Sequence, residues 1–309
     1  MGIKGLSKFL AKRCPEAIRK IASLDEYTGK RFAVDVSVVM YRFAYWKEPH
    51  DDVKFLENFY TQYTRFKSHN ISATYVFDGS TPVAKAAEIC KRQKLRHDAQ
   101  ERIFHDVLEL QEEAELVASG IGPFGATPVV AAPNVEFRFA EFARIQDDIE
   151  KRKRSLVIVK PVHYTNLRRL FDERSVPYVI APGEAEKECA RMCARGEADV
   201  AVTEDFDALP YGAPVMLRGG SSPSKPLEQV CLQHVLDGLN LTHPQFVDFC
   251  ILCGSDFSGT IPGIGPVNAY KLIRSGSSME KIVESYKKED RDEIVRKFTY
   301  EQARNEFTQ

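Results

Sequence analysis

Short apolar runs that close on an acid recur along the chain. Phe32-Ala33-Val34 ends in Asp35, and Thr74-Tyr75-Val76-Phe77 ends in Asp78-Gly79. Both are too short for a helix and rich in β-branched and aromatic residues, so each predicts a buried strand. Between them the spacing predicts a helix from Ser37, a plausible N-cap, to Trp46, a turn over 48–52, and a helix from Val53 to Ser68. A strand–helix–strand order predicts a parallel pair with a right-handed crossover. The pattern returns at Tyr178–Ala181, is broken by Pro182-Gly183, and continues as a helix from Glu184 to Gly196. A strand over Ala198–Thr203 follows, then Asp205 and Asp207, then a further strand over Ala213–Leu217.

Elsewhere the period is helical. Residues 1–13 predict a loop entering a short amphipathic helix, and a helix over 162–173 leads back toward Tyr178. Two long, heavily charged patterns, Val83–Ala118 and Val135–Arg154, flank a Gly/Pro/Ala-rich break over 119–133. From about Cys231 the chain is helical again, with an apolar helix over Phe246–Cys253 and a Gly263-Ile264-Gly265 turn between two helices. The expected fold is α/β: a mostly parallel central sheet flanked by helices, with a helical arch inserted over 83–154 and a helical C-terminal subregion over 231–300, all in one domain spanning 1–309.

In an open parallel sheet, sites form beyond the carboxyl ends of the strands. Asp35, Asp78, Asp205 and Asp207 stand there, Glu184 and Glu186 fall at a helix start, and Asp256 follows the apolar helix in Gly254-Ser255-Asp256. An acid in a first helical turn is favoured by the helix dipole alone, so Glu184 or Glu186 taken singly reads as a helix-start acid. Convergence changes that reading. Clustered carboxylates raise one another's pKa, and a hard divalent cation such as Mg²⁺ removes the cost. Such an acid well suits two metal ions, about 3.5–4 Å apart in two-metal enzymes, acting on a phosphodiester.

Composition narrows the setting. The 309 residues are 43% hydrophobic and 28% charged with a net charge of −1, which excludes a uniformly basic surface. Charge is nonetheless uneven: six cations against three acids lie between Lys85 and Arg102, and Lys151–Arg154 is a basic run. A solvated helix face explains either run alone; opposite an acid well they would hold a polyanion. No apolar run approaches membrane-spanning length, no signal-peptide core opens the chain, and Leu6 breaks a myristoylation pattern. Seven scattered cysteines suggest reduced thiols in an intracellular protein; Cys250-x-x-Cys253 lacks a second pair at zinc spacing. Cys90, beside Lys91 and Arg92, is expected to alkylate before Cys250 or Cys253.

Six stretches, in order, resemble the flap endonuclease family, the structure-specific 5′ nucleases of the xeroderma-pigmentosum-G type. They are Met1–Leu6, Val34–Ser37, Tyr75–Gly79, Ala181–Glu186, Thr203–Asp207, and Gly254–Asp256 with Ile261–Pro266; Ala213–Arg218 adds likeness to the flap branch. The resemblance implies cleavage of branched or flapped DNA near a 5′-flap junction, in replication and repair, with two Mg²⁺ (Mn²⁺ substituting). Its metal-site acids fall on Asp35, Asp78, Glu184, Glu186, Asp205, Asp207 and Asp256. It implies that Lys85 and Arg92 touch the scissile phosphate, Tyr41 stacks on an unpaired base, Gly2 helps hold substrate, and Gly263 and Gly265 bind duplex. A K⁺ ion would be held there by the backbone of Thr260, Ile261 and Ile264. A monomer in the nucleus or at another site of DNA replication, with a viral origin open, is the implied setting.

The chain departs from the family in places. The interval from Asp35 to Asp78 is short, in the part that helps form a pocket for a 3′ flap, and that from Asp78 to Glu184 is long, at the arch tip. The chain ends Asn305–Gln309 without the family's basic tail or sliding-clamp motif, so clamp binding is not expected. An exonuclease or junction-resolving nuclease of the same family is the alternative. A non-catalytic DNA-structure binder is disfavoured by seven acids that repel phosphates. A phosphatase on another α/β fold, prompted by Asp205-Phe206-Asp207, would need a second acid after Asp35, where Val36-Ser37 stands.

Overall fold

The computed structural model describes residues 2–45, 54–80, 86–118, 143–149, 151–152, 159–219, 226–286, 294 and 298–308. In chain order these form α1 (Leu6–Arg13), β1 (Ile18–Ile21), β2 (Arg31–Asp35), α2 (Val36–Tyr45), α3 (Glu57–Ser68), β3 (Ser72–Phe77), α4 (Ala86–Ala118) and α5 (143–149). They continue with α6 (Pro161–Arg174), β4 (Tyr178–Ile180), α7 (Ala185–Ala194), β5 (Val200–Val202), β6 (Val215–Arg218), β7 (Leu227–Cys231), α8 (Leu232–Leu239), α9 (His243–Cys253), α10 (Pro266–Arg274), α11 (Met279–Glu284) and α12 (Tyr300–Thr308).

The seven strands form one sheet in the order β1-β7-β6-β5-β2-β3-β4. The pairs β2–β3, β2–β5, β3–β4 and β5–β6 are parallel, while β6–β7 and β7–β1 are antiparallel. β1 and β7 are strands that the hydrophobic pattern does not mark. Ile18-Arg19-Lys20-Ile21 is half polar because it is an edge strand, and only Ile21 is buried. The described part of the 119–133 break and of the 135–154 helix is limited to 143–149 and 151–152, which are helical.

Alternation along the strands sets two different layers. On one face Phe32, Tyr75 and Phe77 meet helices α3 and α6 through the rings of Phe59, Phe66 and Phe171, whose centroids lie 4.9–6.1 Å from their neighbours. On the other face Ala33, Val76 and Ala201 meet Ala185, Cys189 and Ala190 of α7. Small side chains on both partners let α7 approach closely, which brings its N-terminus to the strand ends.

The C-terminal helices α8–α12 enclose a third core with α1, centred on Leu6, Leu10, Phe246, Phe249 and Ile273. Cys250 and Cys253 are buried in it as free thiols, and burial pushes both thiols well up. Chain contacts divide the molecule into two compact units, one of residues 1–43, 51–86 and 160–309, the other of 44–50 and 87–159. Within the second unit Ile103 and Ile149 pack together, and Arg152 bonds Asp106 at 2.6 Å. Among the described residues no helix is long and apolar enough to cross a membrane.

Candidate active site

β2 delivers Asp35 to the sheet's carboxyl edge, where it is 1% exposed. Its Oδ1 accepts the Ser37 amide at 2.9 Å, and its Oδ2 accepts the Thr203 hydroxyl at 2.7 Å. Asp35 thus caps α2, the role the sequence suggests for Ser37. The Ser37 hydroxyl is instead turned to Asp78 and donates to its Oδ2. Burial, and next the nearby Asp78 carboxylate, push the Asp35 carboxyl up to about 7, against the opposing Thr203 bond.

Asp78 lies one residue past β3. Its Oδ1 accepts the Ala185 amide at 2.8 Å, so it satisfies a donor in the first turn of α7. The strand end is held close to the 181–183 turn: Gly79 N donates to Gly183 O at 2.7 Å, and a Cβ at Gly79 would collide with the Ala181 carbonyl. Glu184 is the N-cap position of α7 and accepts the Tyr211 hydroxyl at 3.2 Å. Glu186, two residues further into the first turn, is buried.

Asp205 and Asp207 follow β5. The i, i+2 spacing suggests two acids side by side on extended backbone, but the chain uses a single 3₁₀ turn over Phe206–Ala208. Asp205 caps it, accepting the Asp207 amide at 3.1 Å, while its own amide donates to Thr203 Oγ1 at 3.1 Å. Asp207 is fully buried, and its Oδ1 accepts the Ile3 amide at 2.9 Å. The N-terminal segment therefore lies directly on the acids. A Cβ at Gly2 would collide with Asp205 Oδ1 and Asp207 Oδ1, and Gly2 has φ +75°, so glycine is required on both counts.

Glu186, Asp205 and Asp207 each offer a carboxylate oxygen, and these lie within 4.8 Å of one another. Three carboxylates converging in a largely buried place fit a hard divalent cation, which takes oxygen ligands and offsets their repulsion. Asp35 and Asp78 join the same edge through Ser37 and Thr203. Asp256 stands in the turn after α9, which is tied to the N-terminal segment by a Lys4 N to Gly254 O bond of 3.1 Å. It is outside the three-residue cluster.

Tyr41 is half-buried on α2. Lys85 and the side chain of Arg92 lie outside the described residues. Pro262-Gly263 forms the corner of a turn closed by Ile264 N to Ile261 O at 3.1 Å, with Gly263 at φ +79°, the arrangement of a type II turn. Nothing lies within 4 Å of a Cβ at Gly263 or Gly265, so this backbone is open. Thr260 is exposed, while the side chains of Ile261 and Ile264 enter the core.

The hydroxyls of Ser37, Thr203 and Tyr211 orient Asp78, Asp35 and Glu184 in turn; the first two end and open the stretches Val34–Ser37 and Thr203–Asp207 without their partners being marked there, and Tyr211 lies outside every such stretch. Arg42 also lies outside those stretches; it forms the ion pair behind the site with Glu204 at 2.7 Å, and the same Glu204 oxygen accepts the Gly219 amide at 2.6 Å. Burial pushes the Tyr211 and Tyr164 phenols well up, so both stay protonated beside the acids.

Comparison with known proteins fits this geometry. Family models match the XPG N-terminal domain over residues 1–99 and the XPG I-region over 175–256. Flap endonuclease 1 of Zea mays is 33% identical over 99% of this chain and 75% of its own, and that of Xenopus tropicalis is 34% identical over 92% and 69%. Among solved structures, the flap endonuclease-1 of Methanococcus jannaschii superposes with a TM-score of 0.57 at 24% identity, covering 90% of this chain and 80% of its own. The catalytic core of Rad2 in complex with a DNA substrate gives 0.62 at 18% identity, covering 96% and 79%. These structures are alike in fold.

Proposed function

The chain belongs to the XPG family of structure-specific 5′ nucleases, on its flap endonuclease side, and from that premise we propose that it cuts DNA at the base of a 5′ flap, using two divalent cations held by its carboxylates. The observation that carries the reading is the convergence of Glu186, Asp205 and Asp207 within 4.8 Å, with Asp35 linked to the Asp205 amide by the Thr203 hydroxyl and Asp78 linked to Asp35 by Ser37. Two Mg²⁺ ions, when bound, would supply an activated water and charge stabilisation on the leaving 3′ oxygen.

The chain's own residues do the remainder. Glu184, Glu186, Asp205, Asp207, Asp78 and Asp256 supply oxygen ligands directly or through water, and Asp35 supports them from behind. The Ile3 amide fixes the rotamer of Asp207, so the ligand is placed before substrate arrives. Lys85 and Arg92 offset charge growing on the phosphoryl oxygens. Tyr41 stacks on an unpaired base, a contact worth about 1–3 kcal/mol. The open backbone at Gly263 and Gly265 receives a phosphate of the duplex arm, with K⁺ held by the carbonyls of Thr260, Ile261 and Ile264. The protein acts as a monomer in the nucleus or wherever the DNA it serves is replicated.

Cleavage of an end-labelled 5′-flap duplex tests this, with Mg²⁺ or EDTA, beside nicked, single-stranded and four-way-junction substrates. Mg²⁺-dependent incision near the flap base, exceeding incision of the other three, is the expected result. Stepwise release from a 5′ end would make the protein an exonuclease, and preference for the four-way junction a resolvase. Tight duplex binding without incision of any substrate would overturn the catalytic reading.

A further inference from the structure

The chain carries 44 acids, yet residues 1–15 hold four cations (Lys4, Lys8, Lys12, Arg13) and no acid, and residues 257–279 hold Lys271 and Arg274 and no acid. Folding places these two segments together. A Cβ at Gly5 would come 3.0 Å from Pro266 Cγ, the rings of Phe9 and Tyr270 lie 5.6 Å apart, and the Arg13 guanidinium sits 5.3 Å from the centre of the Tyr270 ring. Gly5, Phe9 and Arg13 are one stripe of α1, and Pro266 and Tyr270 one stripe of α10, each stepping by four residues. The two helices thus run side by side with their N-termini together, and α10 begins at the open Gly263–Gly265 turn.

The helical angle of about 100° per residue fixes what flanks these stripes. On α1 the core residues Leu6 and Leu10 lie to one side of Phe9, so Lys8 and Lys12 lie to the other. On α10 Ala269 and Ile273 go to the core, so Val267 and Lys271 take the outer side. Lys8, Lys12 and Lys271 are all exposed. Among the described residues none of the six cations is ion-paired with a carboxylate. In a chain of net charge −1, an acid-free seam walled by unpaired lysines is not a solvated average surface.

We propose that the α1–α10 seam is a phosphate track for duplex DNA, continuing from the Gly263–Gly265 turn and gripped by Lys8, Lys12 and Lys271. Lys8 and Lys12 are one helical turn apart, about 6 Å, which spans about two phosphates of one strand at 3.4 Å of axis each. The contacts are to backbone, so the track adds affinity without base preference. The inference rests on the nuclease reading above, since it needs a duplex arm leaving the turn.

The test is the salt dependence of binding. Kd for a flap substrate with long duplex arms is measured in EDTA over a range of NaCl at fixed K⁺, for wild type, for Lys8→Gln/Lys12→Gln/Lys271→Gln, and for a charge-matched control, Lys20→Gln/Lys30→Gln/Lys67→Gln. The track variant is expected to lose about 2–3 from the slope of log Kd against log salt, at about 0.9 per phosphate. Each single variant loses about 1. The control keeps the wild-type slope, and all proteins share one melting temperature. Equal slopes in the track variant and the control would overturn the track. A wild-type protein that neither binds nor cuts the flap duplex fails at the first arm, and overturns the nuclease reading and the track together.

Discussion

Asp35 is a carboxylate of the site whose chemistry burial changes. Its folded pKa of about 7 lies above the ordinary carboxylate value of 3.8, so the metal-free fold binds a proton that the unfolded chain releases. The stability this contributes is complete below about pH 4 and is lost as pH rises through about 7. In EDTA, wild type should therefore melt progressively lower across that window. Asp35→Asn should flatten the profile and melt at least about 2 °C higher than wild type at pH 8, a shift of about 1.3 kcal/mol or more at about 2.1 cal/mol/K per residue. A pH profile of this variant parallel to that of wild type, read by circular dichroism, would reject the assignment. Gly2→Ala belongs to the same scale: its Cβ must displace Asp205 and Asp207. Cleavage should fall at least about tenfold, the effect of a misplaced catalytic group, with the melting temperature near wild type. Cys90 is exposed whereas Cys189, Cys250 and Cys253 are buried with thiols pushed up, so iodoacetamide mapped by mass spectrometry should label Cys90 first.

At the scale of elements, the site is set by how helices attach to strand ends. α7 is drawn to the sheet by an alanine-lined contact and fastened by the Asp78 to Ala185 bond. α2 is fastened by Arg42 to Glu204, from the helix that carries Tyr41 to the residue between Thr203 and Asp205. The Arg42 side chain is only 12% exposed. Arg42→Ala should cost about 1–3 kcal/mol in urea unfolding, between an exposed pair and a fully buried one. It should also weaken flap binding, because α2 loses its tie to the acid turn. Unchanged urea midpoint and Kd would show that α2 is held by its apolar face alone.

At the scale of the whole molecule, bringing carboxylates together opposes folding until a cation arrives. A ligand that binds only the folded state at about 100 times its Kd adds about 2.7 kcal/mol. Mg²⁺ should accordingly raise the melting temperature of wild type. It should do so much less for Asp207→Asn, which should also lose cleavage while keeping DNA binding in EDTA. An equal Mg²⁺ shift in both proteins would remove Asp207 from the metal site.

Much of this was legible in the linear chain. Alternation and run length predict β2, β3 and β5, because strands buried on both faces are continuously apolar. The acids at their ends stand out because charge directly after such a run has few structural uses. The edge strand β1 and its neighbour β7 were not legible, since both are only partly buried and carry few apolar residues. The central strands, most helices, the acids and the family resemblance thus follow from local patterns along the chain. Which hydroxyls orient those acids, that Ile3 N holds Asp207, and that two acid-free segments some 250 residues apart in sequence meet as one seam emerge from the fold. Those contacts depend on long-range packing, and no local pattern encodes which distant surfaces a hydrophobic core brings together.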